Sequence, residues 1–416
     1  MTMLNTLVDD LRAALAPDRV RAEPLELALY GRDASGLAGR AVVVCFPLTT
    51  EEVQACVVTA VKHGRPFVTR GSGTGLAGGA VPLDDPVVIV TTKMNRVVSV
   101  DPEARIAWVE PGVLNLDLSR AVAHLGLHFA PDPSSQQSCS IGGNVATNSG
   151  GPHCLAYGVT STHILAVEVV LPDGRITTLG GLDPEPTGYD LRGAFIGGEG
   201  TLGVATKIAV RSTPIPKVVR TLLLDFASVD DGAATVSAII AGGLVPAAIE
   251  MMDARITAAV EAFVHAGFPL DAAAVLMVEV DGLVSAVDDA VERVRTIGLA
   301  NGARSVRVAQ SEAERALWWK GRKSAFGAIA RINPDYYLHD TVVPRRRLVE
   351  VLREVYAIAE RHDLIVMNVF HAGDGNLHPL LSFDRRVPGT MERVYAAGEE
   401  IVKASVAAGG VLSGEH

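Results

Sequence analysis

The chain has 416 residues, of which 48% are hydrophobic and 5% aromatic, as expected for a globular protein of two or three domains. Its formal net charge of −10 argues against nucleic acid as the main partner, because binding to a phosphate backbone needs a basic face. The four cysteines, Cys45, Cys56, Cys139 and Cys154, lack Cys-x-x-Cys spacing, which argues against an iron–sulfur cluster or a zinc ribbon. Free thiols in a reducing cytosol are predicted.

The first predicted element is an amphipathic helix over residues 1–11, whose acidic residues differ from the basic start of a signal peptide. No apolar run is long enough to span a bilayer. After a buried strand at residues 42–46, a helix is predicted to begin at Thr50 and to run towards His63, without a capping-box acid at its third position.

A glycine-rich loop at residues 70–79 follows, between strand-like runs at residues 66–69 and 87–92. Alternating glycines tolerate positive φ and allow backbone N–H groups to converge on an anion, so we predict a cradle for phosphate or pyrophosphate. A glycine-rich surface turn is the alternative. Gly73-x-Gly75-x-x-Gly78 also matches the Rossmann fingerprint, but Pro82 and Pro86 precede the next strand, so we predict that no helix opens and reject a Rossmann site.

Two further glycine-rich loops are predicted, at residues 139–151 and 195–204, in a β-rich part of the chain that ends near Pro216. Their small and amide side chains can donate to phosphate or to ring heteroatoms while the glycines permit close approach. Three such loops in one domain indicate a long ligand that lies across several loops.

The pattern of predicted elements changes after Thr213-Pro214-Ile215-Pro216. We interpret this stiff link as a domain boundary, with domains at residues 1–216 and 217–416. Strands and helices then alternate, which predicts a sheet with helices packed on one face. Ser311 and Glu314 form a capping box that starts a helix through about residue 332. On that helix Trp318 and Arg322 share one face, and Arg322 either binds a carboxylate or is an ordinary surface arginine.

Two histidines flank the turn at residues 373–376 near the end of the chain. Pairing of the two adjacent strands around this turn would place His371 opposite His378 with both side chains on one face. Two imidazoles placed in this way can share a divalent metal if a third ligand is present, and otherwise they are structural residues.

These motifs resemble those of a known family. The cradle, the Ser140-Ile141-Gly142-Gly143-Asn144 stretch and the Gly198-Glu199-Gly200-Thr201-Leu202-Gly203 stretch are similar to the flavin domain of the vanillyl-alcohol-oxidase (PCMH) type. Over nearly the whole chain the sequence resembles FAD-linked D-2-hydroxy-acid dehydrogenases, nearest to the glycolate oxidase D subunits. The resemblance implies an α+β architecture: a two-part FAD-binding domain and an α/β cap domain that carries the substrate and metal site.

The resemblance implies FAD with its pyrophosphate on the cradle, and a non-covalent flavin because the cradle loop contains no histidine. His63 and His153 are predicted to be turn or surface residues. The residues expected to bind FAD are Arg70, Gly71, Ser72, Gly73, Thr74, Gly75, Pro131, Asp132, Ser140, Gly142, Gly143, Asn144, Thr147, Asn148, Gly150, Gly158, Glu199, Gly200 and Gly203.

The family pattern also implies catalytic roles. Arg322 is expected to bind the carboxylate of a glycolate- or D-lactate-like substrate. His371, His378 and Glu415 are expected to hold a divalent metal, most simply Zn²⁺. His416 is expected to act as the general base while hydride passes to the flavin. Tyr337 either donates to the substrate or is a packing aromatic.

Electrons must leave through another protein, a quinone or oxygen, because the chain has no cysteine set for a cluster. The resemblance implies a second flavin-domain subunit and an iron–sulfur subunit, and a cytoplasmic protein that is peripheral at the inner membrane through these partners. The family pattern continues beyond Gly-Glu-His with Gly-Ile-Gly and several tens of residues, so the chain is expected to be truncated at His416.

Three alternatives remain open. A D-2-hydroxyglutarate or other D-2-hydroxy-acid dehydrogenase would share these motifs. A non-catalytic flavin subunit would lack the histidine hairpin. A cell-wall-precursor reductase that uses NADPH would lack the Gly-Asp-Gly-Asn turn, and its flavin would be bleached by NADPH.

Overall fold

The computed structural model describes residues 2–183 and 188–413, with side chains from residue 5 onward. The chain forms two compact units. Unit 1 contains the residues up to Gly151 and the stretch Gly158–Ile215, whereas unit 2 contains Pro152–Tyr157 and Pro216–Ser413. The chain therefore enters unit 2 at residues 152–157, returns to unit 1, and enters unit 2 again at Pro216.

Unit 1 consists of short strands with helices between them. Its strands are β1 Val20–Arg21, β2 Val43–Cys45, β3 Phe67–Arg70, β4 Val87–Val90, β5 Val97–Asp101, β6 Ile106–Val109, β7 Leu127–His128, β8 Ile164–Val170, β9 Ile176–Gly180, β10 Val204–Arg211 and β11 Thr213–Pro214. Its helices are α1 Thr2–Ala14, α2 Pro24–Ala28, α3 Thr50–Lys62, α4 Asn115–Ala123, α5 Ile141–Thr147, α7 Thr160–His163 and α8 Leu191–Phe195, and α6 Cys154–Tyr157 lies in unit 2.

Two main sheets divide unit 1 into two parts, as the sequence predicts. The first has the strand order β1-β2-β4-β3, and α1 and α3 pack against it through residues such as Leu11 and Val53. The second has the order β5-β6-β10-β8-β9 and forms a separate core around Ile141 and Ile208. A two-stranded pair, β7 with β11, completes the unit.

Helix caps correct two of the sequence predictions for unit 1. The α3 helix is capped by Thr49, whose side chain accepts from the Glu52 N–H, and Glu52 reaches back to accept from the Leu48 N–H at 2.7 Å. The capping box that was predicted to be missing is therefore present one residue earlier. The predicted loop after Cys139 contains the helix α5, because Ser140 accepts from the Gly143 N–H at 3.3 Å.

Unit 2 is built on one large sheet. Its strands are β12 Val218–Phe226, β13 Ala248–Asp253, β14 Ala274–Gly282, β15 Ala303–Val308, β16 Asp335–Leu338, β17 Thr341–Val342, β18 Ile365–His371, β19 Asn376–Leu377, β20 Pro379–Phe383 and β21 Val411–Leu412. Its longer helices are α9 Val229–Ala241, α10 Ala254–Val264, α11 Val284–Ala300, α12 Glu312–Lys323, α13 Ala325–Ile329, α14 Leu348–Arg361 and α15 Thr390–Ala407.

Helices cover both faces of this sheet, not the one face predicted. Leu222 and Leu224 of β12 pack in a core with residues of α9, α11, α14 and α15, whereas Leu223 packs in a second core with residues of α10, α12 and α13. Successive side chains of a strand point to opposite faces, so an unbroken apolar run such as Leu222-Leu223-Leu224 requires two covered faces. The central strand order is β15-β12-β14-β13-β18.

The short segment at residues 152–157 is fastened to unit 2 by buried polar contacts. Glu279 is 3% exposed and accepts from His153 Nε2 at 3.1 Å, Thr221 Oγ1 at 2.5 Å and Trp319 Nε1 at 2.6 Å. Arg315 pairs with the same carboxylate at 3.1 Å. Burial opposes ionisation of Glu279, but these partners lower its pKa to about 2. His153 therefore lies in a turn, one of the two predicted alternatives, and its side chain is half-buried in a defined polar cluster.

The helix that starts at the Ser311 capping box is confirmed, with Ser311 accepting from the Glu314 N–H at 3.2 Å. It ends at Lys323 and a second helix begins at Ala325, so the predicted single helix is broken at Ser324. Trp318 and Arg322 are both 1% exposed on its inner face. Within the two described ranges, no helix is long and apolar enough to cross a membrane.

His339 lies between β16 and β17 and is buried against α15. A Cβ atom added at Gly398 would lie 2.4 Å from its Nε2, which shows how closely the imidazole approaches the helix backbone. Tyr337 contacts it edge to face, with ring centroids 4.9 Å apart. Burial lowers the pKa of His339 to about 4, although a backbone hydrogen bond with Pro379 acts in the opposite direction.

We predict that His339 makes the protein less stable as the pH falls from about 6.5 to 4. In this window the unfolded chain binds a proton that the folded chain does not, which costs up to about 3 kcal/mol of unfolding free energy. His339→Asn should flatten this part of the stability profile, measured by denaturant unfolding at each pH. His265→Asn, at an exposed histidine, should leave the slope as in the parent protein. An unchanged slope in the His339 variant would contradict the assignment.

Candidate functional site

A cleft in unit 1 gathers the three glycine-rich stretches. Its empty space, including the open mouth, is about 940 Å³. Of the residues predicted to bind FAD, those that line the cleft are Arg70, Gly71, Ser72, Gly73, Thr74, Gly75, Ser140, Gly142, Gly143, Asn144, Thr147, Glu199, Gly200 and Gly203. The structure therefore brings together residues that lie more than a hundred positions apart in the sequence.

The cradle loop depends on two close approaches that only glycine permits. A Cβ atom at Gly71 would lie 2.4 Å from Ser140 Oγ, the atom that caps α5. Gly73 has φ +74° and covers the guanidinium of Arg70, since a Cβ atom there would lie 2.2 Å from Arg70 Nη2. No helix follows within the fully described stretch from Arg70 to Val87, as the rejection of a Rossmann site requires.

Arg70 places a positive charge inside the cradle. It is 9% exposed, its guanidinium lies 5.8 Å from the centre of the Tyr30 ring, and Asp33 provides a nearby negative charge. Burial lowers the pKa of Arg70, because a guanidinium is less well solvated there, and an arginine nonetheless remains protonated. A buried cation within a glycine-rich loop that lines a cleft suits an anionic ligand.

A buried amide network supports the cleft from below. Asn115 Nδ2 donates to Asn144 Oδ1 at 2.9 Å and to the Pro131 carbonyl at 3.0 Å. Asn144 Nδ2 in turn donates to Ser149 Oγ at 3.0 Å, and Ser149 Oγ lies 2.9 Å from Thr147 Oγ1. Sequence reasoning missed Asn115 and Ser149. Asn115 is fully buried in the first turn of α4. The local sequence pattern shows an asparagine at the start of a helix but does not show that its side chain is buried.

Five predicted cofactor residues do not line the cleft, although several shape the backbone around it. Asn148 ends α5 in a left-handed conformation and its Oδ1 accepts from the Ser161 N–H at 2.8 Å. Pro131 accepts from Asn115. Asp132 and Gly151 are packed together, since a Cβ atom at Gly151 would lie 2.6 Å from the Asp132 carbonyl carbon. The other residues of this group are Gly150 and Gly158.

Unit 2 contains a buried cluster of charged side chains. Arg322 Nη2 lies 2.5 Å from Glu250 Oε2, and Glu250 Oε1 lies 2.8 Å from His371 Nδ1. The three side chains are 1–2% exposed. Burial opposes ionisation of Glu250, but the charges and hydrogen bonds of Arg322 and His371 lower its pKa. Sequence reasoning missed Glu250. The only sign of its importance in the sequence is that an acidic residue occurs within the largely apolar strand β13.

His371 and His378 approach each other closely, although not in the predicted register. His371 pairs with Asn376, and the strand pairing resumes at Asn368 with Pro379, so His378 lies between β19 and β20. The two rings are nevertheless 4.9 Å apart between centroids and nearly perpendicular. His378 Nδ1 lies 3.7 Å from Asp340 Oδ1, so each imidazole has a carboxylate on its Nδ1 side.

The turn between the two histidines adds a further acid that sequence reasoning missed. Burial raises the pKa of Asp374 to about 6, with the charge of His371 opposing the shift and that of Glu250 adding to it. Glu415 and His416 lie outside the described residues, and within those residues no three His, Cys, Asp or Glu side chains form a metal-binding group.

Tyr337 is not part of the charged cluster. Its ring packs edge to face against His339 and Tyr395 on the side of the sheet covered by α15. Its neighbour Tyr336 packs in the other core, with residues of α12 and α13. Because successive side chains of β16 alternate between faces, Tyr337 points away from the face that carries Arg322. The ring contacts of Tyr337 are those of a packing aromatic, and its contact with substrate stays a prediction.

Comparisons with known proteins match both parts of the chain to flavoprotein domains. Residues 215–416 match the family described as FAD linked oxidases, C-terminal domain, and residues 41–180 match the family described as FAD binding domain. The glycolate oxidase subunit GlcD of Escherichia coli (strain K12) is 48% identical over 377 residues, which cover 91% of this chain and 76% of that protein. D-lactate dehydrogenase of Anaerostipes hadrus is 33% identical over 94% of this chain and 83% of its own length.

Solved structures support the same fold. p-Cresol methylhydroxylase with bound substrate superposes with a TM-score of 0.83 at 18% identity, covering 100% of this chain and 90% of that one. The isoeugenol complex of 4-ethylphenol oxidase from Gulosibacter chungangensis gives 0.83 at 19% identity, covering 99% and 88%. This similarity confirms the predicted α+β fold with its PCMH-type flavin domain. The 48% identical relative shows that the chain belongs to the FAD-linked oxidases, a family of flavoprotein oxidoreductases.

Proposed function

We propose that this protein oxidises a small 2-hydroxy acid, glycolate or D-lactate, to the 2-oxo acid and passes the electrons to FAD. The similarity to glycolate oxidase subunits and to D-lactate dehydrogenase supports the reaction. The observation that carries the proposal is the buried cluster of Arg322, Glu250 and His371, because a guanidinium beside imidazoles suits an anionic hydroxy acid.

In this proposal unit 1 holds FAD. The backbone N–H groups of residues 71–75 and the buried charge of Arg70 would bind the pyrophosphate. The side chains of Asn144 and Thr147, fixed by the amide network, would contact other polar groups of the cofactor. FAD, when bound, accepts the two electrons and the C2 hydrogen that the substrate loses.

Unit 2 supplies the groups that would bind and orient the substrate. Glu250 engages one nitrogen of Arg322, and Arg322 Nε has no hydrogen-bond partner among the described residues. A buried guanidinium with a donor to spare is suited to a carboxylate, since a donor left unsatisfied in the interior is costly. Arg322 would thus fix the substrate by its carboxylate and leave the hydroxyl-bearing carbon to react.

A divalent metal, Zn²⁺ in the simplest case, would be held by His371, His378 and Glu415. The imidazole of His371 fits this role because Glu250 accepts from its Nδ1, an arrangement that directs Nε2 towards a metal, and the ring of His378 lies 4.9 Å away between centroids. Such an ion supplies Lewis acidity that lowers the pKa of a substrate hydroxyl. His416 would then take the hydroxyl proton on its imidazole.

The reduced flavin must be reoxidised by another molecule. The Escherichia coli relative is described as a subunit of glycolate oxidase. We therefore include partner subunits in the proposal, a second flavin-domain subunit and an iron–sulfur subunit, with a quinone as the alternative acceptor. These partners would hold the protein at the cytoplasmic side of the inner membrane.

The reaction is tested by anaerobic bleaching of the bound flavin with glycolate, D-lactate, L-lactate and D-2-hydroxyglutarate, each with and without a chelator. We expect rapid loss of the flavin absorbance with glycolate or D-lactate and a strong reduction of the rate by the chelator. Bleaching by D-2-hydroxyglutarate alone would show that this acid is the substrate and that glycolate and D-lactate are not. A bound flavin that no acid reduces would favour a non-catalytic flavin subunit and contradict the proposal.

Replacement of Arg322 by lysine should raise KM by about 10- to 100-fold, because an ammonium group cannot replace the fork of guanidinium donors and one charged hydrogen bond is worth about 1.5–3 kcal/mol. Steady-state kinetics with a dye as electron acceptor would measure the change. Arg315→Lys, on the same helix but paired with Glu279 and Glu312, is the matched control and should leave KM within about twofold. A KM that Arg322→Lys leaves unchanged would remove Arg322 from substrate binding.

Gly71→Ala should lower the fraction of protein that carries FAD, because the new methyl group would collide with Ser140 Oγ at 2.4 Å and displace the start of α5 from the cradle. The ratio of flavin to protein absorbance after purification, followed by titration with added FAD, would measure the loss. Gly181→Ala is the control, since no atom lies within 4 Å of a Cβ atom there. Full occupancy in the Gly71 variant would show that the cradle does not contact the cofactor as proposed.

A further inference from the structure

The carboxylate of Glu250 contacts two side chains to which the proposed function gives different tasks. One oxygen, Oε2, lies 2.5 Å from Arg322 Nη2, and the other, Oε1, lies 2.8 Å from His371 Nδ1. The side chains of Glu250 and Arg322 are 1% exposed and that of His371 is 2% exposed. The carboxylate is thus a bridge between the proposed substrate-binding arginine and one proposed metal ligand.

The fold delivers these three side chains from three elements. Glu250 and His371 are directly opposite each other in the antiparallel pair β13 and β18, so their side chains lie on the same face of the sheet. Arg322 comes from α12, which packs on that face with Trp318 and Trp319 in the same core. Strand register and helix packing together therefore fix both contacts of Glu250.

The two contacts have different chemical consequences. A carboxylate that accepts from Nδ1–H fixes the tautomer of His371, so that Nε2 carries the lone pair that a metal would bind. The contact with Nη2 holds one edge of the guanidinium and limits the directions in which its remaining donors can point. Removal of the negative charge would therefore disturb both groups at once.

We infer that Glu250 is a positioning residue that orients Arg322 for the substrate carboxylate and His371 for the metal through one shared carboxylate. This inference rests on the proposed function, because it takes the roles of Arg322 and His371 from it. Glu250 itself touches neither substrate nor metal in this account. A purely structural ion pair is the competing explanation, and it predicts a loss of stability alone.

The matched comparison is between Glu250→Gln and Glu279→Gln. Glu279 is a second buried glutamate of unit 2, 3% exposed and paired with Arg315 and His153, and it contacts neither Arg322 nor His371. Each protein is reconstituted with FAD and dialysed against a series of Zn²⁺ concentrations, and bound zinc is measured by mass spectrometry. KM and kcat for the reactive acid and the melting temperature are measured on the same samples.

We expect Glu250→Gln to weaken Zn²⁺ binding by about 10- to 100-fold, as for removal of other carboxylates behind a metal-bound histidine. We also expect its KM to rise by at least about tenfold, because the amide nitrogen presents hydrogens to Arg322 in place of an acceptor. Glu279→Gln should lower the melting temperature and leave Zn²⁺ affinity and KM close to those of the parent protein.

The outcomes separate the inference from the proposed function. A Glu250→Gln protein with parental Zn²⁺ affinity and KM overturns the inference alone, as does one whose losses are matched by Glu279→Gln. A parent protein that binds no Zn²⁺ and that no acid reduces overturns the proposed function and the inference with it. If Glu250→Gln does not fold, Glu250→Asp, which keeps the charge but sets it one methylene back, is compared with Glu279→Asp by the same criteria.

Discussion

A charge that is removed from water has to be paired, and unit 2 obeys this constraint at Glu250. Its carboxylate is placed by the central strand β13, accepts from the imidazole of His371 and neutralises Arg322. Removing one partner from such a buried set costs about 3–5 kcal/mol, so the three side chains are fixed as a group. The sheet register that aligns Glu250 with His371 and the packing of α12 are both conditions for this arrangement.

Unit 1 is under a different constraint from this pairing of buried charges. Its glycine-rich loops have to bring the backbone, and not side chains, close to a ligand. Gly71 permits the contact with Ser140 that joins the cradle to the start of α5, and Gly73 lets the loop close over the guanidinium of Arg70. The amide network around Asn144 then fixes the far side of the cleft. Small residues provide the space in this unit, and buried hydrogen bonds provide the rigidity.

Much of the fold and of the candidate site could be predicted from the sequence, and the rest depends on long-range contacts. Glycine spacing, the capping box at Ser311 and the pair of histidines are local patterns, and each predicted an element or a proximity that the structure confirms. Glu250 could not be predicted, because its partners are 72 and 121 positions away (322 − 250 and 371 − 250) and its own strand is otherwise apolar. The register between His371 and Asn376 was also inaccessible, since it is set by a turn whose geometry the residue types alone leave open.

The short segment at residues 152–157 belongs to unit 2, and this affects how the two units can be separated. Between residues 2 and 413 the described chain crosses between them at residues 151–152, 157–158 and 215–216, so a single cut at residues 215–216 would not divide it into its two compact units. An isolated fragment that begins at Pro216 would lack His153, one of several partners of Glu279, and Tyr157, which donates to Asp281. Evolutionary exchange or laboratory grafting of residues 216–413 on their own would therefore remove one hydrogen-bond partner from each of these two carboxylates. Each unit is compact in space, but neither is formed by one continuous stretch of the chain.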